Sequence, residues 1–264
     1  MRRGPGQALR IGLAPNGVAL VRTGWWRRGL EVAGECGAHG GAGQALRQLF
    51  RDAPAAGWPV TVVLSDELVR MWQVTPPAAA SRMADLEAAA ALRFQSLFGA
   101  PAAHWKIAAD WDAAGPFLAA AAPLELLEQL GQAAHEHRFH LVEVVPQFVA
   151  AMNQWRKLRK PGAWFGVLHA GVLTLAAYQG ATLAAVRAAA VPAGAGREWL
   201  DSLVAREALR LGLERPDRVQ VCGPAPAGWA SHPAQPGFAC SLLDPAQPGG
   251  WSDLALLART GSAA

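Results

Sequence analysis

The chain has 264 residues, 52% of them hydrophobic and 17% charged, with a net charge of +4 and a pI near 9.4. That length allows one large domain or two modest ones around a sizeable core, though much of the apolar content is alanine and core volume per residue is modest. The weakly basic balance speaks against a nucleic-acid protein: the one dense basic run, Arg156-Lys157-Leu158-Arg159-Lys160, has no recognition motif beside it. That run is read as a solvated helix end or as a contact for acidic lipid or an acidic partner. Cys36, Cys222 and Cys240 are odd in number and widely spaced, which fits neither a disulfide framework nor a metal motif and suits a reducing cytoplasm. Gly-Pro-Gly follows the basic start, so no signal peptide is expected. No apolar run of membrane-spanning length is expected either.

Ala8 to Ala14 reads as a strand, Pro15-Asn16-Gly17 as a turn with Asn-Gly as its hairpin signal, and Val18 to Arg22 as a second strand. Trp25 to Arg28 turns again and Leu30 to Gly34 is the third strand. Gln44 to Arg51 places Leu46, Leu49 and Phe50 on one helical face. Val60 to Leu64 is a short apolar strand of the kind covered on both faces. Leu68 to Val74 continues extended until Pro76-Pro77.

A block with its own character follows. Ser81 to Phe98 is a helix with Ala84, Leu86, Ala90, Phe94 and Leu97 on its expected buried side. Trp105 to Trp111 and Phe117 to Ala122 form a strand pair around Asp112 to Gly115. Pro123 opens a helix to Glu136, Phe139 to Val145 is a strand, and Pro146 starts a helix reaching Arg159. Ala163 to Val191 then reads as three strands with turns at His169-Ala170-Gly171 and Gln179-Gly180. A helix from Arg197 to Leu211 stops at Gly212, and Val219 to Cys222 is a strand ending at Gly223-Pro224. Residues 224 to 250 read mostly as loop, with one short strand at Phe238 to Leu243 and a last helix from Trp251 to Ala258.

Residues 8 to 64 and 163 to 222 share one order: strand, turn, strand, turn, strand, helix, strand. Two such units, one interrupted by an insert, describe the α/β, actin-like (ribonuclease H-like) two-lobe architecture of actin, hexokinase and the large heat-shock chaperones. The expected bounds are 1–78 for the first lobe, 79–145 for an α+β insert and 146–264 for a shortened, loop-rich second lobe.

Several residues carry a closer resemblance. They are Ile11-Gly12-Leu13 running into Val18-Ala19-Leu20-Val21; Leu92-Arg93-Phe94 ahead of Trp105 and Asp110-Trp111; Ala119 to Pro123; Val144-Val145-Pro146 with Asn153; and Gly171-Val172-Leu173-Thr174. In order and spacing they resemble the PilM family of type IV pilus assembly proteins and, more distantly, the cytoplasmic domain of the secretion protein GspL. The resemblance covers the chain to about residue 223. It implies a cytoplasmic protein held at the inner membrane by binding a short cytoplasmic peptide of a bitopic membrane partner, in company with other pilus or secretion assembly proteins. In the family the peptide lies in a groove between the first lobe and the insert, here involving residues 80 to 145.

The resemblance also implies a nucleotide cleft with an Asp-x-Gly at the first turn of each lobe, the acids helping to hold Mg²⁺ near the phosphates. Here the first acid position falls on Ala14 of Ala14-Pro15-Asn16-Gly17, and Pro15 removes a backbone donor. The second falls on His169 of His169-Ala170-Gly171, and imidazole is a poor Mg²⁺ ligand. Gly223-Pro224 stands where a Gly-Gly loop would cradle adenosine. The residual nucleotide positions are Asn16, Gly17, Gly171, Thr174 and Gly223, with no catalytic residue and no metal ligand assigned. The expectation is a non-catalytic scaffold without a cofactor; the alternatives are an ATP-binding or slowly hydrolysing member and a sugar-kinase-like enzyme.

Other constellations carry less. Asp66 is expected to cap a helix or turn. His135, Glu136, His137 and His140 read as solvated helix-end residues, because i and i+2 point apart. Trp25 and Trp26 beside Arg27 and Arg28 have an interface composition, with edge packing as the plainer reading.

Overall fold

The computed structural model describes residues 8–23, 30–231, 237–244 and 250–262; Trp25 to Arg28 lie outside them. In chain order the elements are β1 (Ala8–Ala14), β2 (Gly17–Thr23), β3 (Glu31–Gly37), α1 (Ala42–Asp52), β4 (Pro59–Leu64), β5 (Arg70–Val74) and α2 (Met83–Phe98). Next come β6 (Trp105–Ala109), β7 (Phe117–Pro123), α3 (Leu124–His137), β8 (His140–Pro146) and α4 (Gln147–Gln154). The last are β9 (Trp164–His169), β10 (Val172–Gln179), β11 (Thr182–Ala190), α5 (Arg197–Leu211), β12 (Arg218–Cys222), β13 (Ala239–Leu242) and α6 (Asp253–Arg259).

The chain divides into two compact units. The first holds Met1–Arg70, Ala122–Gln154 and Gly249–Ala264. Its sheet has the order β3-β2-β1-β4-β8, with β1 antiparallel to β2 and parallel to β4, and β4 parallel to β8. Alternation along β1 sorts large from small: Leu9, Ile11 and Leu13 point one way, Arg10, Gly12 and Ala14 the other. The register adds Gly17, Ala19 and Val21 of β2 to the small-residue face. On that face lies α6. A Cβ on Gly12 would stand 2.3 Å from the Leu254 carbonyl oxygen and 2.6 Å from the Ala258 nitrogen, so only glycine admits the helix backbone. Ala19 and Val21 pack on Ala255 and Ala258 there. Arg10 donates from Nε to the Ala258 carbonyl at 2.8 Å and from its guanidinium to the Thr260 carbonyl, capping the end of α6. Burial pushes the Arg10 pKa down, against the opposing pull of Glu143. The other face carries α1, whose Leu49 reaches Gly34 of β3.

The second unit holds Met71–Ala121 and Trp155–Pro248. Its larger sheet, β11-β10-β9-β12-β13, repeats the order and strand directions of the first. The expected duplication is therefore present, down to the fifth strand. What is shortened is the connection. The chain reaches β8 from β4 through β5, α2, β6, β7 and α3, whereas the described residues between β12 and β13 hold only a short 3-10 turn at Ala227–Trp229. Trp229 takes the place of a crossover helix: it is fully buried, stacks on Trp199 at 5.7 Å and donates to the Ala195 carbonyl at 2.8 Å. Arg197, at the start of α5, fixes the same connection. It donates to the Trp229 carbonyl at 3.0 Å, to Ser231 Oγ and to the Phe238 carbonyl, pairs with Asp201 at 2.9 Å, and lies 4.3 Å over the Phe238 ring.

The 71–121 segment contributes β7 and β6 to a three-stranded sheet, β5-β7-β6, with α2 packed on it through Leu86, Ala90 and Phe94 against Trp72, Val74 and Phe117.

Several expectations shift by an element. The strand at 140–146, expected in the insert, pairs with β4 in the first sheet, and the strand at 70–74, expected in the first lobe, joins the insert's sheet. Helices α4 and α6, expected in the second lobe, fall in the first unit. Leu97 and Ala84 of α2 are exposed rather than buried: the buried stripe on the sheet is Leu86, Ala90 and Phe94, with Phe98 reaching Trp72 edge-on at 5.9 Å. Each depends on a pairing between distant segments.

Gly12→Ala should lower stability by about 1–3 kcal/mol through overpacking, read from the urea midpoint. Gly131→Ala, within α3 where an added Cβ meets nothing, should raise it by about 0.5–1 kcal/mol. Burial pushes the Cys240 thiol from 9.0 up to about 11. The unfolded thiol therefore ionises first, so this thiol's contribution to stability is unchanged below pH 9 and is lost as pH rises toward 11. Cys240→Ala should flatten that alkaline limb in urea titrations.

Candidate functional site

In open α/β sheets ligands bind outside the carboxyl ends of the parallel strands. The candidate residues collect at those ends, in each unit separately. In the first unit β1 ends at Ala14, which pairs with Gly17, so the hairpin loop is the two residues Pro15-Asn16 rather than the expected Pro15-Asn16-Gly17. Proline fixes φ near −65°, which bars a turn needing positive φ at both central positions. Asn16 is exposed, and its carbonyl accepts from the Ala38 N–H at 2.9 Å. Gly17 is required by packing: a Cβ would meet the Cys36 carbonyl oxygen at 2.7 Å and Leu254 at 2.8 Å. Ala14 is buried in an apolar cluster with Val63, Val145, Ala150 and Leu257. A carboxylate there would be desolvated among hydrocarbon groups.

The segment after β4 is tied to the same edge. The Ser65 N–H donates to the Leu13 carbonyl at 2.8 Å. Asp66 Oδ1 accepts from the Phe148 N–H at 2.9 Å, at the start of α4. Its carboxylate thus caps a helix, where the backbone dipole favours a negative charge.

In the second unit β9 ends at His169, paired with Val172. The two-residue turn between them, Ala170-Gly171, has φ of 45° and 75°. Positive φ at both positions is the type I′ arrangement, which matches strand twist. Glycine suits it; Ala170 adopts it at a cost of about 1–2 kcal/mol. His169 is 6% exposed, so the side chain in the expected acid position is packed rather than offered to solvent. Gly223 follows β12 with φ of 92°, and a Cβ there would stand 2.0 Å from the Leu168 carbonyl oxygen. Glycine there is required both by that φ and by the approach of β9. Thr174 lies inside β10, opposite Val167 and Ala188, and is buried on the face away from Leu173 and Leu175. Gly171 and Gly223 therefore share one carboxyl edge, with Thr174 set back in the sheet.

Among the described residues, no group of three or more His, Cys, Asp or Glu side chains is placed to hold a metal. His137 is not solvated as expected: its ring packs 5.2 Å from Phe50 and its Nε2 is buried. In the basic run, Arg159 is half-buried, donates to the Tyr178 hydroxyl at 2.6 Å and lies over the Phe165 and Tyr178 rings.

Three solved structures resemble this chain along nearly its whole length. The cytoplasmic domain of EpsL, an inner-membrane component of the type II secretion system of Vibrio cholerae, is 15% identical, with 97% of this chain and 94% of that one covered and a TM-score of 0.59. A protein of unknown function with an actin-like ATPase fold, from Bacteroides thetaiotaomicron, is 12% identical, with 95% of each chain covered and a TM-score of 0.60. A chain of the PilM-PilN type IV pilus biogenesis complex is 15% identical, with 97% and 99% covered and a TM-score of 0.60. The fold is actin-like. No protein-family model matches the chain, and no protein with curated annotation matches it in sequence. Within this actin-like frame, the turn pairs Pro15-Asn16 and Ala170-Gly171 occupy corresponding places in the two sheets, because β1 corresponds to β9 and β2 to β10. Among the described residues no helix is long and apolar enough to cross a membrane.

Two features escaped sequence reading. The apolar side chains left outside on α2 are Met83, Leu92, Leu97 and Phe98. The other is a groove between β11 and α5 with Glu207 buried at its wall; the only sequence signal was the Arg206-Glu207-Arg210 spacing.

Ala170→Gly should raise stability by about 1 kcal/mol by removing the left-handed alanine, seen as a higher urea midpoint.

Proposed function

We propose that this chain is a non-catalytic actin-like scaffold of a type IV pilus or type II secretion-like assembly. It works on the cytoplasmic side, peripheral to the inner membrane through a membrane partner. The observation that carries this reading is the chemistry of the two turns. Neither Ala14-Pro15-Asn16-Gly17 nor His169-Ala170-Gly171 supplies a carboxylate, and Ala14 sits in an apolar cluster. Phosphoryl transfer relies on metal held near the phosphates; a scaffold needs none.

The partner segment is a short cytoplasmic peptide of a bitopic inner-membrane protein, with other assembly proteins alongside. The 71–121 segment supports this reading. Leu97, one turn on from Phe94 and beside the buried stripe of α2, is 39% exposed, and β6 is an edge of the three-stranded sheet. An edge strand offers main-chain hydrogen bonds and the apolar side chains offer pockets, which is how extended peptides are recognised.

A second reading, ATP binding with slow or no hydrolysis, draws on the tight turns kept at Gly171 and Gly223. Calorimetry with Mg-ATP separates the two: no saturable heat is expected, and micromolar binding would overturn the scaffold-only reading. A peptide copying the cytoplasmic segment of a bitopic protein encoded beside this chain should bind. Leu97→Asp should weaken that binding by about tenfold, about 1.4 kcal/mol, with the melting temperature unchanged.

A further inference from the structure

The second unit carries a groove of about 290 Å³ that the proposed scaffold function does not use. One wall is α5, with Trp199, Leu203, Arg206, Glu207 and Arg210; the other is the end of β11, from Arg187 to Ala190. Strand β11 is an edge: it pairs with β10 and stands last in its sheet. Ala188, Ala189 and Ala190 are too small to fill the space beside it.

The charges are unbalanced in a particular way. Glu207 is 5% exposed. Its Oε1 accepts from Arg210 at 3.3 Å and faces Arg206 Nε at 3.6 Å, while its Oε2 is buried with no hydrogen-bond partner among the described residues. A buried carboxylate oxygen without a donor is costly, and a ligand that supplies one is favoured. Around it stand three guanidiniums, Arg187, Arg206 and Arg210, against this one carboxylate. Arg187 takes part in none of the ion pairs among the described residues.

We propose that this groove docks an extended acidic segment of a partner protein, which adds to the β11 edge while its carboxylates meet Arg187, Arg206 and Arg210 and a donor group meets Glu207 Oε2. The two demands of the site select this occupant. A phosphate or other small oxyanion would satisfy the arginines, but at neutral pH it has few protons to give Glu207 and would lie beside its charge. A peptide supplies backbone N–H donors and side-chain acceptors together, and the short alanines let its main chain approach the edge. Arginine pairs with carboxylates through two parallel hydrogen bonds, which also sets the register of the added strand.

The test pans a random dodecapeptide display library against the full chain. Enrichment of acidic peptides that lose at least tenfold in affinity on Arg187→Glu/Arg210→Glu supports the proposal; enrichment without acidic bias, or acidic peptides indifferent to that variant, overturns it. N-methylation of alternate backbone nitrogens in the best peptide should cost a further tenfold, and no loss would remove the strand-addition element. Pyrophosphate displacing the peptide at equal affinity would make the groove an anion site and sink the proposal. None of these outcomes depends on Mg-ATP binding or on Leu97, so this proposal and the scaffold reading can fail separately.

Discussion

The contact on which the first unit depends is the backbone of α6 lying against Gly12. Helix and strand approach so closely that a single methyl group would collide with the Leu254 carbonyl oxygen at 2.3 Å. The close approach forces a small-residue face on β1 and β2, and the antiparallel register aligns Gly12 with Ala19 and Ala14 with Gly17. Arg10 on the same face then reaches the carbonyls that end α6. Opposite them Leu9, Ile11, Leu13, Val18 and Leu20 build the hydrophobic side. One strand thus separates a face made for a helix backbone from a face made for side chains.

The same constraint shapes the candidate site. Ala14 and Gly17 flank the first hairpin loop, and both are held by contacts with the α6 region: Ala14 with Leu257, Gly17 with Leu254. In the second unit Gly223 answers to the Leu168 carbonyl and His169 is packed away from solvent. At Gly17 and Gly223 glycine therefore answers to local packing. Asp66, the acid nearest the first edge in sequence, is engaged as the cap of α4. An actin-like frame can be retained because these contacts stabilise the sheets whether or not a nucleotide binds.

Much of the fold was legible because local signals repeat. Alternating strands and Gly-marked turns in 8–64 and 163–222 announced two copies of one sheet, and both sheets have the same strand order. The interior place of β4 was legible from its mostly apolar run, and the end of α5 from Gly212, which has φ of 64°. The loop register at Pro15-Asn16 was not, because the Asn-Gly signal is strong and the opposing effect of Pro15 shows only in the pairing of Ala14 with Gly17. The exposure of Leu97 and the packing of His137 on Phe50 escaped for a similar reason: helical spacing fixes a face, but the neighbour decides how wide it is. At the candidate site the residue types at each turn were readable, whereas their burial was not.

The sequence by itself determined the duplicated strand-and-helix order, the insert, and turns without carboxylates at Ala14 and His169, since these follow from local periodicity and residue chemistry. Only the tertiary structure decided that 140–146 completes the first sheet, that α6 returns to β1, that Trp229 and Arg197 replace a crossover helix, and that Glu207 is buried beside an open strand edge. Those outcomes join residues up to about 250 positions apart, as Arg10 and Thr260 are. Propensity acts over a few residues, while the fit of Gly12 beneath a helix backbone exists only once both segments are in place.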